Sequence, residues 1–296
     1  MTRRTILALA LAGVTTLATP VTGAQSASAQ NPVFASRIQA VLVDVLVTRG
    51  GKPVTGLTAA DFEVRDNGVR QTVGLLNTEN MPINAVLALD MSASTAGSRL
   101  ADITAATNAL LDGLRPIDRA ALTTFSSVIT PRVALTTNLS LIRTSMRAVV
   151  PAGETAILDG IYAALMATQA ETGRSLLVVC TDGRDTSSWL DPDELLESAR
   201  RANAVMAVVA TGGARRWSVL TDLTNATGGA TTEIESSRQI RNQFEAILRE
   251  FRSRYVLTFV PTGVAEGGFH SLAVQVRGTR ASVKARPGYI GGAARD

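Results

Sequence analysis

Residues 84–94, which read NAVLALDMSAS, decide the fold of this chain. Residues 85–89 are a continuous apolar run, the pattern of a β-strand that is buried on both faces. Directly after this run, Asp90, Ser92 and Ser94 place oxygen-bearing side chains at alternate positions. In open α/β sheets, ligands bind beyond the carboxyl ends of the strands. The stretch therefore predicts an α/β protein with a functional site at this edge of its sheet.

The same strand pattern recurs from about residue 83 to residue 254. Between the apolar runs lie segments with helical periodicity, clearest where Ile240, Phe244, Ile247 and Phe251 recur at spacings of three and four. Alternating strands and helices indicate a doubly wound, mostly parallel sheet. Strands are predicted at residues 84–89, 120–125, 128–135, 175–180, 205–210 and 231–234.

Strand patterns without helices flank this α/β segment. Val41, Val43 and Val45 alternate with other residues, and the tripeptide at 66–68, Asp-Asn-Gly, is a hairpin turn signal. Strand patterns return at 255–260, 269–276 and 281–286. Neither flank has enough strands for a stable sheet, so we expect both to form one small β-sandwich around the inserted α/β unit. The predicted divisions are a signal peptide (1–29), an N-terminal β-segment (30–80), the α/β domain (81–254) and a C-terminal β-segment (255–296) packing with 30–80.

The first residues have the layout of a secretory signal peptide. A basic start with Arg3 and Arg4 precedes apolar residues 5–19, and small residues offer cleavage sites at 27–29 or at Ala24. The arginine pair is also similar to a twin-arginine signal, so both export routes remain open, as does an uncleaved N-terminal anchor. We expect an exported protein, periplasmic or secreted, with no membrane span in the mature chain.

Composition excludes several classes of protein. The 296 residues include 46% hydrophobic side chains, which excludes a disordered chain, and one cysteine, Cys180, which excludes a disulfide framework. The net charge of +4 includes Arg3 and Arg4 of the signal segment, and only 4% of residues are aromatic. Nucleic-acid binding is not expected, because the sequence has no basic run and its aromatic residues are too sparse for a stacking platform.

Polar residues follow two strands that are neighbours if the strand order is 3-2-1-4-5-6. The first strand ends in Asp90, Ser92 and Ser94, Asp182 follows the fourth strand, and Thr155 begins a helix between them. These five side chains would converge as hard oxygen donors without histidine or thiolate. Such donors suit Mg²⁺ or Mn²⁺, whereas zinc prefers nitrogen or sulfur.

The constellation Asp90-x-Ser92-x-Ser94, Thr155 and Asp182 resembles the metal-ion-dependent adhesion site of von Willebrand factor type A (vWA) domains. The resemblance covers roughly residues 83–254. The flanking sequences GKPVTGL at 51–57 and RPGY at 286–289 are similar to bacterial exported VWFA-related proteins of the acidobacterial type.

This resemblance implies a Rossmann-like vWA fold and a bound Mg²⁺ or Mn²⁺, with Ca²⁺ a further candidate. Ser92 and Ser94 would bind the cation through their hydroxyls, and Thr155 directly or through water. Asp90 and Asp182 would hold metal-bound waters or contact the ion.

The implied function is a non-enzymatic exported binding module. An unknown protein or other acidic ligand would supply a carboxylate to the metal. Glu154, beside the site threonine, would add a third carboxylate that raises cation affinity and weakens the attraction for an acidic ligand. The tryptophans follow the fourth and fifth strands, so we expect them on the metal side, where they pack their own loops or contact a partner. The candidate partner-binding residues are Glu154, Trp189, Arg215, Arg216 and Trp217.

Two other functions remain as alternatives. A phosphohydrolase similar to haloacid dehalogenases also has an aspartate after the first strand, but its second aspartate would fall at Ser92. A metal-free structural envelope protein is the other alternative. A serine hydrolase is not expected, because no G-x-S-x-G motif is present and His270 reads as a solvated strand residue. Asp118 and Asp185 read as loop or capping residues.

Overall fold

The structure is a computed structural model that describes residues 40–169, 172–212, 217–278 and 280–291. The predicted signal peptide, residues 1–29, lies outside these ranges, as do the candidate partner residues Arg215 and Arg216. Within the described ranges, no helix is both long and apolar enough to cross a membrane.

Strands and helices are numbered in chain order. The helices are α1 (Ser98–Asp112), α2 (Ser140–Arg147), α3 (Ile157–Ala167), α4 (Pro192–Arg201), α5 (Ser218–Ala226) and α6 (Ile240–Arg252). The strands are β1 (Val41–Arg49), β2 (Lys52–Pro53), β3 (Phe62–Asp66), β4 (Val69–Gln71), β5 (Gly74–Leu76), β6 (Ile83–Asp90), β7 (Arg119–Phe125), β8 (Ile129–Thr136), β9 (Arg174–Thr181), β10 (Ala204–Ala210), β11 (Ala230–Glu233), β12 (Tyr255–Phe259), β13 (Gly268–Val276), β14 (Ser282–Lys284) and β15 (Gly288–Gly291).

The central sheet has the order β11-β10-β9-β6-β7-β8 among the described residues. Counted along the chain from β6, this is the predicted order 3-2-1-4-5-6. The strands run parallel except for β8, which is antiparallel to β7. Strands β6 and β9 are therefore neighbours, and their carboxyl ends meet at one edge of the sheet.

The apolar runs of the central strands are covered on both faces. In β6, Ala85, Leu87 and Leu89 face one hydrophobic cluster, whereas Val86 and Ala88 face another. Helices α1 and α6 contribute to the first cluster, and α3, α4 and α5 contribute to the second. Burial on both faces explains why these strands have continuous rather than alternating hydrophobicity.

Although helices are expected between the strands, the sequence pattern does not locate α2, α4 and α5. The apolar face of α2 consists of the buried residues Ile142 and Met146, and that of α4 of Leu195 and Ala199. Two buried positions in eight to ten residues give only a short periodic signal, because helical periodicity is diagnostic over longer windows.

The strands that flank the α/β segment in sequence pair with one another. β1 is antiparallel to β12, with Val43 opposite Leu257, and also to β14. In a separate sheet of the described residues, β13 lies between β3 and β15. The two sheets share one hydrophobic cluster that includes Val45 from the first and Phe62 and Leu272 from the second. The two ends of the described chain thus bury one common core.

The expectation that His270 is a solvated strand residue is wrong. His270 is 1% exposed, and its Nδ1 lies 2.9 Å from Oδ1 of Asp66 on β3. The Tyr289 hydroxyl donates to Asp66 Oδ2 at 2.7 Å, and the tyrosine ring stacks on the imidazole. The neighbouring Phe269 points outward instead and is 48% exposed. The histidine lies on the inner face because Asp66 and Tyr289 supply hydrogen-bond partners for its Nδ1, whereas its buried Nε2 has no partner among the described residues.

Replacing Tyr289 by phenylalanine should lower the free energy of unfolding by about 2 kcal/mol, because a buried carboxylate loses one of its donors. Burial, together with the hydrogen bond to Asp66, raises the pKa of Tyr289, so this hydroxyl remains a donor at neutral pH. Urea unfolding measures the loss. The control Tyr162→Phe, at a position 39% exposed on α3, should change it by less than about 0.5 kcal/mol. Equal values for the two variants would contradict a buried hydrogen-bonded cluster.

A buried arginine joins the α/β segment to the flanking strands. Arg174, at the start of β9, forms an ion pair with Asp44 on β1 and donates to the carbonyl of Phe251 on α6 at 3.0 Å. Its guanidinium also lies 4.3 Å from the centre of the Phe251 ring. The start of β9, the end of α6 and strand β1 therefore meet at the Arg174 side chain.

Candidate functional site

The candidate site lies where β6 and β9 end side by side. Leu89 and Cys180 are paired residues, so the residues that follow them, Asp90 and Thr181, close the two strands at the same level. The loop before α3 is tied to this edge by backbone hydrogen bonds: Ala152 donates to the Met91 carbonyl at 2.9 Å. Sequence-distant polar residues are thereby fixed around one point.

The hydroxyls and a carboxylate of the site form a continuous chain of oxygens. Ser92 Oγ lies 3.1 Å from Ser94 Oγ, and Ser94 Oγ donates to Asp182 Oδ1 at 3.0 Å. Thr155 is 6% exposed, and its Oγ1 lies against Gly183, 3.2 Å from where a β-carbon would stand on that glycine. Adjacent oxygens around an octahedral Mg²⁺ with ligands at about 2.1 Å are about 3.0 Å apart. The spacing of the serine and aspartate oxygens fits such an ion.

Asp90 is buried beneath this chain of oxygens and holds the turn that carries Ser92 and Ser94. It is 1% exposed; its Oδ1 accepts from the Ser92 backbone N–H at 2.9 Å, and its Oδ2 accepts from Thr181 Oγ1 at 2.6 Å. Burial raises the pKa of Asp90, although the hydrogen bonds from Thr181 and Ser92 and the charge of Arg99 act in the opposite direction. The side chain is thus a buried acid that fixes the turn carrying both serines.

Asp182 faces a cationic side chain from the same protein. Arg99, the second residue of α1, forms an ion pair with Asp182 Oδ2. The guanidinium also donates to the Ser94 carbonyl at 3.4 Å. The Asp182 side chain is 4% exposed, whereas that of Arg99 is 32% exposed. An arginine therefore closes the outer side of the oxygen cluster.

The structure brings together the oxygen-bearing residues that the sequence predicts. Asp90, Ser92, Ser94 and Asp182 are linked by hydrogen bonds, and Thr155 lies against Gly183, the residue after Asp182. The described residues contain no cluster of three His, Cys, Asp or Glu side chains suited to a metal, because hydroxyls make up most of this set. Glu154 is exposed, and its backbone N–H donates to Ser127 Oγ at 2.8 Å.

A cavity of about 530 Å³ opens beside the loop that follows Asp182. Trp189, Trp217 and Leu158 are among its lining residues. Trp217 also packs against the hydrophobic core, but Trp189 is 97% exposed. The expectation that Trp189 packs its own loop is therefore wrong. The loop itself is anchored, since the Trp189 backbone N–H donates to Asp159 Oδ2 at 3.0 Å.

Several residues of this region were not predicted from the sequence. Thr181 directly precedes Asp182 at the end of β9, so its position at the strand end is the signal that could have found it. Arg99 has no comparable signal, because the placement of α1 over the sheet decides where it reaches. The interpretation of Asp185 as a loop or capping residue is confirmed, because Asp185 accepts from the Ile157 N–H at the start of α3 at 2.8 Å.

A family model described as von Willebrand factor type A domain matches residues 84–246. No curated protein matches the chain significantly.

Solved structures share the fold at low sequence identity. A von Willebrand factor type A protein from Catenulispora acidiphila is 13% identical, with a TM-score of 0.53 over 83% of this chain and 76% of that one. The D319A mutant of the PilB minor pilin from Streptococcus sanguinis is 12% identical, with a TM-score of 0.50 over 60% of this chain. Proximal thread matrix protein 1 from the mussel byssus is 16% identical, with a TM-score of 0.50 over 62% of this chain. This chain spans 63% of the pilin chain and 49% of the byssus protein.

Proposed function

This chain belongs to the von Willebrand factor type A domain family, and we propose that it is a non-enzymatic exported module that binds an acidic ligand through a divalent cation. The observation that carries the proposal is the chain of oxygens from Ser92 through Ser94 to Asp182, with separations of 3.1 and 3.0 Å. Those separations match neighbouring ligands of an octahedral hard cation.

We propose that Ser92, Ser94 and Thr155 hold Mg²⁺ or Mn²⁺ through their hydroxyls, with Ca²⁺ a further candidate. Asp182 would contact the ion or a water bound to it, and Asp90 would orient the turn that carries the serines. A cation held there supplies a Lewis-acidic position for an incoming carboxylate. Because three donors are neutral hydroxyls, two carboxylates leave the ion incompletely neutralised and attractive to an acidic group.

The environment of Asp90 supports a binding role rather than catalysis. A phosphohydrolase of the haloacid dehalogenase type needs an accessible carboxylate oxygen at this position as its nucleophile. Here Asp90 is 1% exposed, and each of its oxygens accepts a hydrogen bond. Ser92 also occupies the position of the general acid in such an enzyme, and its hydroxyl cannot readily protonate a leaving group.

We propose that the partner also contacts the rim of the site. Trp189 is held by its backbone and presents almost its whole side chain to solvent, as aromatic anchors of interfaces do. Trp217 lines the same cavity. Glu154, an exposed carboxylate beside Thr155, would raise the cation affinity and weaken the attraction for an acidic ligand. Arg215 and Arg216 remain candidates from the sequence.

We propose that residues 30–80 and 255–296 form one β-sandwich domain around a vWA domain at 81–254. The pairing of β1 with β12 and the hydrophobic cluster shared by Val45, Phe62 and Leu272 support this division. Hydrogen exchange should then show similar protection for β1, β12 and β13. Much faster exchange of β12 and β13 than of β1 would contradict a single domain.

We propose that the protein is exported to the periplasm or secreted after removal of residues 1–29. The basic start and apolar run of the first residues support this compartment. Mass spectrometry of the protein recovered from cell fractions would give the mature N-terminus. Recovery of the full-length chain only from the cytoplasmic fraction would contradict export.

Calorimetric titration of the chelator-treated protein with Mg²⁺, and separately with Mn²⁺, tests the metal site. We expect one cation to bind per chain.

A second measurement compares retention of envelope proteins on the immobilised chain in Mg²⁺ and in EDTA, with a Trp189→Ala column alongside. Cation binding followed by magnesium-dependent retention supports the proposal. Absence of cation binding would instead favour a metal-free structural envelope protein.

A further inference from the structure

Arg99 occupies an unusual position for a cationic side chain. It lies in the first turn of α1, where the helix dipole presents its positive end. A cation is disfavoured there, so the position is not explained by stabilisation of the helix. Its ion pair with Asp182 and its hydrogen bond to the Ser94 carbonyl direct it toward the oxygen cluster.

Asp182 in turn depends on this arginine. Its side chain is 4% exposed, and its Oδ2 receives no conventional hydrogen bond among the described residues. A buried carboxylate without a compensating charge is strongly destabilised. When no metal ion is bound, Arg99 supplies the compensating positive charge.

We propose that Arg99 is a built-in counter-ion for Asp182 that competes with the divalent cation and thereby sets the affinity of the site for metal. This inference rests on the proposed function, since it concerns the same oxygen cluster. The guanidinium and a divalent cation cannot both lie against Asp182 without strong mutual repulsion. Arg99, which is 32% exposed, has solvent to move into when a cation binds.

Two consequences distinguish a competing counter-ion from a purely structural arginine. Removing the guanidinium should make cation binding tighter, because the cation no longer displaces a resident charge. It should also destabilise the protein only when no cation is present, because a bound cation compensates Asp182 in its place. A structural arginine would lower stability equally in both conditions.

The test compares full-length wild type with Arg99→Gln in calorimetric Mg²⁺ titrations and in thermal unfolding with EDTA or with saturating Mg²⁺. We expect Arg99→Gln to bind Mg²⁺ about tenfold more tightly. Its Tm should be lower than that of wild type in EDTA and equal to it in Mg²⁺. Arg99→Lys, which retains the charge but not the planar fork, should give intermediate values and serves if the glutamine variant folds poorly.

Arg249→Gln is the matched control, because it removes one positive charge at a side chain that is 70% exposed on α6. It should leave Mg²⁺ affinity within about twofold of wild type. Equal Mg²⁺ affinity of wild type and Arg99→Gln, or a Tm loss of the same size in EDTA and Mg²⁺, would overturn the role of Arg99 alone. Absence of Mg²⁺ binding in both proteins would refute the metal site itself, and the role of Arg99 with it.

Discussion

Replacing Ser94 by alanine is expected to weaken Mg²⁺ binding about a hundredfold, because the site loses the oxygen that links Ser92 to Asp182. Ser94 Oγ lies 3.1 Å from Ser92 Oγ and donates to Asp182 Oδ1 at 3.0 Å. The Thr181 hydroxyl also joins the two strand ends, but it donates to Asp90 and not to Ser92 or Ser94. Ser94 is exposed, so its removal should cost little stability.

Calorimetric titration with Mg²⁺ measures this effect, and the unfolding temperature in EDTA shows that the variant remains folded. Ser98→Ala, at an exposed serine that begins α1, is the matched control and should bind Mg²⁺ like wild type. If Ser94→Ala retained wild-type affinity, the cation would have to bind elsewhere, and the oxygen cluster would be a polar structural feature only.

The central sheet is the part of the fold that the sequence predicts best. Buried parallel strands have continuous apolar runs, so β6, β9 and β10 could be located to within one or two residues. Helix α4 also has clear local signals for both of its ends. Asp191 caps it, Pro192 is its first residue, and acidic and basic residues occupy its first and last turns.

The orientation of β13 shows how a pattern can be identified correctly and still be interpreted wrongly. His270 is in phase with Leu272 and Val274, which lie on the inner face, whereas Phe269 is out of phase with them. The alternation alone therefore places the histidine inside. The expectation of a solvated histidine followed the usual preference of the residue type, and a buried carboxylate on another strand overrode that preference.

The candidate site likewise contains residues that the sequence predicts and residues that it does not. Asp90, Ser92 and Asp182 follow predicted strands, so the topology of the sheet brings them together. Arg99 depends on where α1 lies over the sheet, which local sequence does not determine. The exposure of Trp189 depends on how the loop after β9 is anchored to Asp159, a contact between residues that are thirty apart.

A second large effect is expected at Asp118, where Asp118→Asn should lower the free energy of unfolding by about 3 kcal/mol at pH 7. Asp118 is 1% exposed and accepts from the Ile83 N–H at 2.9 Å, from Arg115, and from Arg252 of α6 at 2.9 Å. Burial alone would raise the pKa of Asp118, but the hydrogen bonds from Arg115 and Ile83 and the charge of Arg115 outweigh it and hold the pKa below its ordinary value.

The sign of the pH dependence follows from that lowered pKa. The ionised carboxylate stabilises the folded state above the ordinary aspartate pKa of about 3.9, and this contribution is lost as the pH falls through the lower pKa of the native protein. The stability difference between wild type and Asp118→Asn should therefore be largest near neutral pH and shrink in acid. Urea unfolding at pH 7 and near pH 3 measures it.

Asp112→Asn is the control for this effect, because Asp112 is 71% exposed in its ion pair with Arg143 and should change stability by less than about 0.5 kcal/mol. If Asp118→Asn were equally mild, the end of α6 would not be anchored by this carboxylate. With the anchor in place, a shift of α6 that reached β12 would have to break the Arg252–Asp118 ion pair, since only two residues separate the helix from the strand. The end of α6, from which the chain continues into β12, is then fixed to the start of β7 through a buried charge.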